Sequence, residues 1–164
     1  MQPSDQSSAD LDWREGAIPV SRRFDDPYFS LNGGLDETRH VFLAGNDLPA
    51  RLRPDFHVAE LGFGTGLNLL ALAQVATVPI RFTSFEAFPM SRGELARAHA
   101  AFPELETLAR QLRDNWPQPR FTLGTVAAEI IRADARDALP RWQGRADAWF
   151  LDGFSPARNP ELWG

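Results

Sequence analysis

The chain contains no cysteine among its 164 residues. Disulfides, thiolate metal sites and a cysteine nucleophile are therefore excluded, and nothing argues for secretion. Lysine is absent as well, so all 17 basic residues are arginine. No apolar run approaches the roughly 18 residues of a membrane-spanning helix. The first ten residues are polar and acidic rather than a signal peptide; they read as a disordered tail, and cytoplasm is the expected location. The three histidines (His40, His57, His99) lack metal-ligand spacing, so no metal site is expected and they read as structural or surface residues. A net charge of −5 argues against coating nucleic acid by bulk electrostatics, but not against an RNA held by a local basic patch. What remains is ordinary: 43% hydrophobic and 24% charged residues fit one globular domain with a real core.

The rest of the chain is organised around Phe56 to Leu70, FHVAELGFGTGLNLL. A short apolar strand ends in Glu60, and a glycine-rich turn then opens into a leucine-rich helix beginning near Leu67. Gly62, Gly64 and Gly66 let the backbone bend sharply and approach a ligand closely. The helix behind them offers unpaired N–H groups and the positive end of its dipole. A dinucleotide fingerprint, G-x-G-x-x-G, would need its third glycine where Leu67 stands. The pattern Glu60-x-Gly62-x-Gly64-x-Gly66 instead resembles the first motif of Rossmann-like S-adenosylmethionine (SAM) methyltransferases.

A second strand, Ile80 to Phe85, ends in Glu86, at the distance from the glycine turn where nucleotide-binding α/β folds place a ribose-binding acid. Ser91-x-x-Glu94 reads as a capping box, and Leu95, Ala98 and Phe102 follow at helical spacing. Leu105, Leu108 and Leu112 mark another helix, ended by Trp116-Pro117. A third strand is expected over roughly Ala127 to Arg132. Asp134 just beyond it is open to two readings, a contact with an adenine amino group or a helix N-cap. The fourth strand, Ala146 to Leu151, leads into Asp152. Four acids (Glu60, Glu86, Asp134, Asp152) thus stand at the carboxyl ends of strands, where open parallel sheets bind ligands. Before all this, Leu11 to Leu48 is short and strand-like, although Glu37 to Leu43 fits helix or strand equally. Its aromatics read as a hydrophobic cover, or as a flap that brings Tyr28 or Asp25/Asp26 to a cofactor.

These pieces occur in the order of a known family. PVSRRFDDPYFS from Pro19, GLDETRHVFLAGNDL from Gly34, ELGFGTGLN from Glu60, SFEAFP from Ser84 and WFLDGFSPARNPELW from Trp149 resemble the MnmC-like methyltransferase domain. The resemblance implies a Rossmann-like α/β fold: an open, mostly parallel sheet with helices on both faces and a small β-rich N-terminal cover. It divides the chain into a tail (1–10), a cover segment (11–50) and a SAM-binding domain (51–164) that lacks the family's last strands. It also implies methyl transfer from SAM to the primary amine of 5-aminomethyl-2-thiouridine at the tRNA wobble position. Glu60, Gly62, Gly64, Gly66, Asn68, Glu86, Asp134 and Tyr28 would then hold the cofactor, and Arg158 and Asn159 would meet tRNA. An alkylamine resembles lysine, with a pKa of about 10.4, so a group must accept its proton, and Asp152 is the candidate catalytic residue. Where family members often carry lysine, this chain has Ala87 and Arg158. The FAD-dependent oxidase half of bifunctional relatives is expected only in a longer parent. Two other readings stand beside this one, a nucleotide-dependent oxidoreductase and a fragment that catalyses nothing.

Overall fold

The computed structural model describes residues 34–151 and, ahead of them, three short strands. Those strands, β1 (Leu11–Arg14), β2 (Ile18–Ser21) and β3 (Asp26–Pro27), form an antiparallel sheet in the order β1-β2-β3. The ambiguous segment after them is helical. α1 (Gly34–Thr38) runs on through a π-helical turn at Arg39–Leu43 and a 3-10 turn at Ala44–Asn46. Leu35, Leu43 and Leu48 are buried in the main hydrophobic core, so this part of the expected cover segment packs on the larger body.

The main sheet is built from β4 (His57–Leu61), β5 (Ile80–Phe85), β6 (Arg120–Leu123), β7 (Val126–Ile131) and β8 (Ala148–Leu151). Its order is β6-β7-β5-β4-β8. β4 pairs in parallel with β5 and β8, and β5 in parallel with β7, while β6 is antiparallel to β7. The intervening helices are α2 (Leu67–Val75), α3 (Arg92–His99), α4 (Glu106–Asn115) and the short α5 (Ala135–Ala138). This is the mostly parallel Rossmann-like arrangement that the motifs imply. The sequence reading missed β6, a four-residue strand between Pro119 and Gly124. It also placed Asp147 inside the last strand, which begins at Ala148.

Register divides the sheet into two faces. Val58, Phe82, Ala128, Ile130, Ala148 and Phe150 share one face and join the leucines of α2, α3 and α4 in a single core. α2 lies deep within it: every residue from Leu67 to Ala73 is buried, and the helix is apolar nearly all round. The opposite face carries Leu61, Phe85, Ile131 and Trp149, which pack with Ala135 and Ala138 of α5 and with Trp142. At the lower end of the sheet Asp147 clips β4. Its backbone N–H donates to the His57 carbonyl at 2.7 Å, and its carboxylate accepts the His57 N–H at 2.9 Å.

Candidate functional site: the glycine turn at the carboxyl ends of the strands

Three strand ends and two helices meet where β4 passes into α2. Gly62, Gly64 and Gly66 all have positive φ (87°, 57° and 79°), a conformation that L side chains rarely adopt. Their surroundings differ. Gly62 and Gly64 are partly open to solvent, whereas Gly66 is buried. A Cβ on Gly66 would stand 2.8 Å from the Phe63 ring and 2.9 Å from Leu112. Only the first two glycines can meet a ligand; the third lets the turn close on α4.

The turn is pinned by its peptide groups. Gly62 N–H donates to the Phe85 carbonyl and Gly66 N–H to the Phe63 carbonyl, each at 2.9 Å. Gly64 N–H donates to Glu86 Oε1 at 2.7 Å, and Glu86 Oε2 accepts from Phe88 N–H at 3.0 Å. The acid expected to receive ribose hydroxyls thus reaches across and holds the glycine turn. Burial pushes the Glu86 carboxyl above its ordinary range, against the pull of the N–H groups of Gly64 and Phe88. A buried carboxylate held by two backbone donors retains lone pairs for further donors, which suits a pair of ligand hydroxyls.

Beneath the turn, Phe63 stacks on Trp116 with ring centroids 5.4 Å apart, and the Trp116 indole N–H donates to the Met90 carbonyl at 2.9 Å. The end of α4 is therefore joined both to the glycine turn and to the loop that follows Glu86. On the other side, His99 Nε2 lies 2.7 Å from the Thr65 carbonyl, and Arg113 reaches His99 Nδ1 at 3.0 Å. None of these supports was read from the sequence. Only the helical spacing of Leu105, Leu108 and Leu112 hinted that α4 faces inward.

Two residues expected at the cofactor sit deeper than that. Glu60 and Asn68 are 0% and 2% exposed. Glu60 accepts from Asn68 Nδ2 at 2.9 Å and from Ser84 Oγ at 2.7 Å, which ties α2 to β5. This geometry is a brace beneath the turn. Asp134 shows the capping reading. Its Oδ1 accepts the Arg136 N–H at 2.9 Å, and the Arg136 guanidinium grips the same carboxylate at 2.7 to 3.3 Å. That grip holds its carboxyl below the usual range. Arg136 occupies this carboxylate within its own turn, which is the N-cap reading of the two the sequence left open. Tyr28, Asp152, Arg158 and Asn159 lie outside the described residues. The last described residue, Leu151, pairs in register with Leu61, one position before Gly62.

The site fits the chemistry of a nucleoside cofactor. It presents two partly solvent-open glycines at a helix N-terminus and a carboxylate set across the turn from the neighbouring strand. Comparison with known proteins points the same way. Residues 103–164 match the family described as S-adenosyl-L-methionine-dependent methyltransferase. The chain is 45% identical, over 93% of its length, to a protein of Leptospira borgpetersenii named tRNA 5-methylaminomethyl-2-thiouridine biosynthesis bifunctional protein MnmC. The proteins of that name from Pseudomonas savastanoi and Vibrio cholerae are 45% and 43% identical over 94% and 96% of the chain. The chain spans only 26–27% of the length of these relatives. The crystal structure of MNMC2 from Aquifex aeolicus superposes on 97% of the chain with a TM-score of 0.70 and 25% identity, and 53% of that chain is covered. In sequence and in fold, the chain is similar to about a quarter of the length of these MnmC proteins, and its residues 103–164 match the S-adenosyl-L-methionine-dependent methyltransferase family.

Proposed function

We propose that the glycine turn and Glu86 bind SAM, and that the domain methylates the primary amine of 5-aminomethyl-2-thiouridine at the tRNA wobble position. The observation that carries this reading is the 2.7 Å hydrogen bond from Gly64 N–H to Glu86 Oε1. It joins the two halves of a nucleoside site, the turn and the acid, into one surface. Gly62 and Gly64 would let the methionine part approach the backbone, and Glu86 would accept the ribose hydroxyls. Glu60 and Asn68 keep the turn in register with β5. Bound SAM would supply an electrophilic methyl group on a sulfonium.

The chain's own part is positioning and proton handling. The amine must be unprotonated to attack. Asp152 follows directly on the strand that pairs with β4 beside the turn, and we assign it the amine's proton. Arg158 and Asn159 are assigned to tRNA, and Tyr28 to the covering side of the cofactor. In a longer parent, the second activity implied by the word bifunctional in the relatives' name would be the FAD-dependent oxidase.

Titration calorimetry of SAM into the 164-residue chain, with Glu86→Ala as the control, tests the reading. Saturable binding that the substitution weakens about 100-fold is expected. Methyl transfer to undermethylated tRNA should then follow, and Asp152→Asn should lower its rate while leaving SAM affinity intact. A well-folded chain that ignores SAM, or that binds NADH in its place, would overturn it.

A further inference from the structure

His99 is 2% exposed and lies at the end of α3, far in sequence from the glycine turn yet in contact with it. Its two ring nitrogens face partners that fix their roles. Arg113 has donors and no acceptor, so Nδ1, 3.0 Å from its Nη1, must be the unprotonated nitrogen. The Thr65 carbonyl can only accept, so Nε2 carries the proton and donates across 2.7 Å. Arg113 is held in turn by Glu106, whose Oε1 accepts from Nη2 at 2.6 Å. Glu106, Arg113 and His99 form a relay that runs from the start of α4 to the peptide between two positive-φ glycines.

We infer that His99, as the neutral Nε2–H tautomer, is a positioning residue that sets the cofactor-binding turn through the Thr65 carbonyl. The inference rests on the reading of that turn as the SAM site. Thr65 stands between Gly64 and Gly66, the most freely rotating positions of the turn. Gly66 N–H is held by the Phe63 carbonyl. With the Thr65 carbonyl held by His99, the peptide plane between them is fixed at both ends. Gly64 N–H, two peptides earlier, is the group that Glu86 receives. A rotation at Thr65 would therefore reach the carboxylate assigned to the ribose.

The relay also makes the turn sensitive to acid. The charged groups facing His99 are Arg113 and Glu106, both from α4, while the turn contributes only the Thr65 carbonyl. Protonated His99 would set a second N–H against the Arg113 guanidinium and lose that contact. Burial and Arg113 both favour the neutral ring, so the relay is intact near neutral pH.

SAM binding is measured by calorimetry between pH 5 and 8 for the wild-type chain, His99→Phe and His99→Gln, each checked for a cooperative melt. His99→Phe keeps a ring of similar size without either hydrogen bond and should weaken SAM by about tenfold at pH 7.5, the value of one lost hydrogen bond. His99→Gln can donate to Thr65 and accept from Arg113, so it should hold affinity within about threefold. Because it does not titrate, it should also lose the part of the acid-side weakening that wild type owes to the imidazole. Wild-type affinity in His99→Phe, or a loss in His99→Gln as large as that in His99→Phe, overturns the inference and leaves the SAM site standing. Absence of SAM binding by the wild-type chain overturns the site reading and the inference together. If His99→Phe does not fold, the affinity of His99→Gln at pH 7.5 decides alone, and a loss beyond about tenfold overturns the inference.

Discussion

Two of the turns that pass from a strand end into a helix with an acid nearby, those after β7 and after β4, are built in opposite ways. After β7, Asp134 caps α5, a helix of four residues, and its carboxylate is held by Arg136 two positions on. The Asp134 carboxylate is thus held within three residues of chain. After β4, the glycine turn draws its supports from elsewhere: Glu86 from β5, His99 from α3, Phe63 stacked on Trp116 from the end of α4. A turn that satisfies itself has little left for a ligand. One held from outside can present its own backbone, and its shape depends on three other elements being in place.

Substitutions that act on one turn and spare the other sharpen this contrast. The largest effect is expected from Gly66→Ala. A Cβ there meets both a positive φ of 79° and the Phe63 and Leu112 side chains below 3 Å. Strain plus overpacking should cost about 2–4 kcal/mol in urea unfolding and abolish SAM binding. Next comes Glu86→Ala, which removes the acceptor shared by the turn and the ribose. SAM affinity should fall about 100-fold in calorimetry, the value of two hydrogen bonds to a charged group.

A smaller effect, but one with a definite sign, concerns pH. Glu86 has a raised folded-state pKa, so its contribution to stability is fully present below its unfolded value and is lost as pH rises through the folded one. Relative to Glu86→Gln, wild type should therefore lose unfolding free energy as pH climbs from about 4.5, while its SAM affinity rises over the same interval as the carboxylate ionises. Parallel rather than opposed trends would refute the double role given to this residue. Asp134 has the contrary sign: its depressed pKa gives stability that is present above the unfolded value and is lost as pH falls through the folded one. Least of all, Asp134→Ala should cost about 1 kcal/mol, the worth of an N-cap, and change SAM affinity by less than about threefold. A loss matching that of Glu86→Ala would restore Asp134 to the cofactor.

Local chemistry made much of this legible in advance. The glycine spacing located the turn, and α2 begins at Leu67 as the pattern requires. Ser91 and Glu94 form the capping box their spacing announces, with Glu94 N–H on Ser91 Oγ and Ser91 N–H on Glu94 Oε1. What could not be read depends on tertiary docking. β6 is too short for its alternation to stand out from a loop and exists because Phe121 and Leu123 find the core beside β7. The choice between cap and ligand at Asp134 turns on where the Arg136 side chain lies. His99 reads as one more helix residue until α3 is set against the glycine turn.

The clip between Asp147 and His57 bears on how the chain reaches this state. β4 finds β5 across a separation of 24 residues, seen in the Glu60–Ser84 contact, but finds β8 across 90. By the logarithmic growth of loop-closure entropy, the second encounter costs about 1 kcal/mol more than the first. It also encloses every residue between, so it comes after the pairing of β4 with β5, and contacts of such long range slow folding. Until it happens, the most buried strand of the sheet carries a bare apolar edge. On a ribosome, β4 through β7 would emerge and collapse while that edge waits for β8. The paired bonds of Asp147 then act as a latch that holds β8 once it arrives.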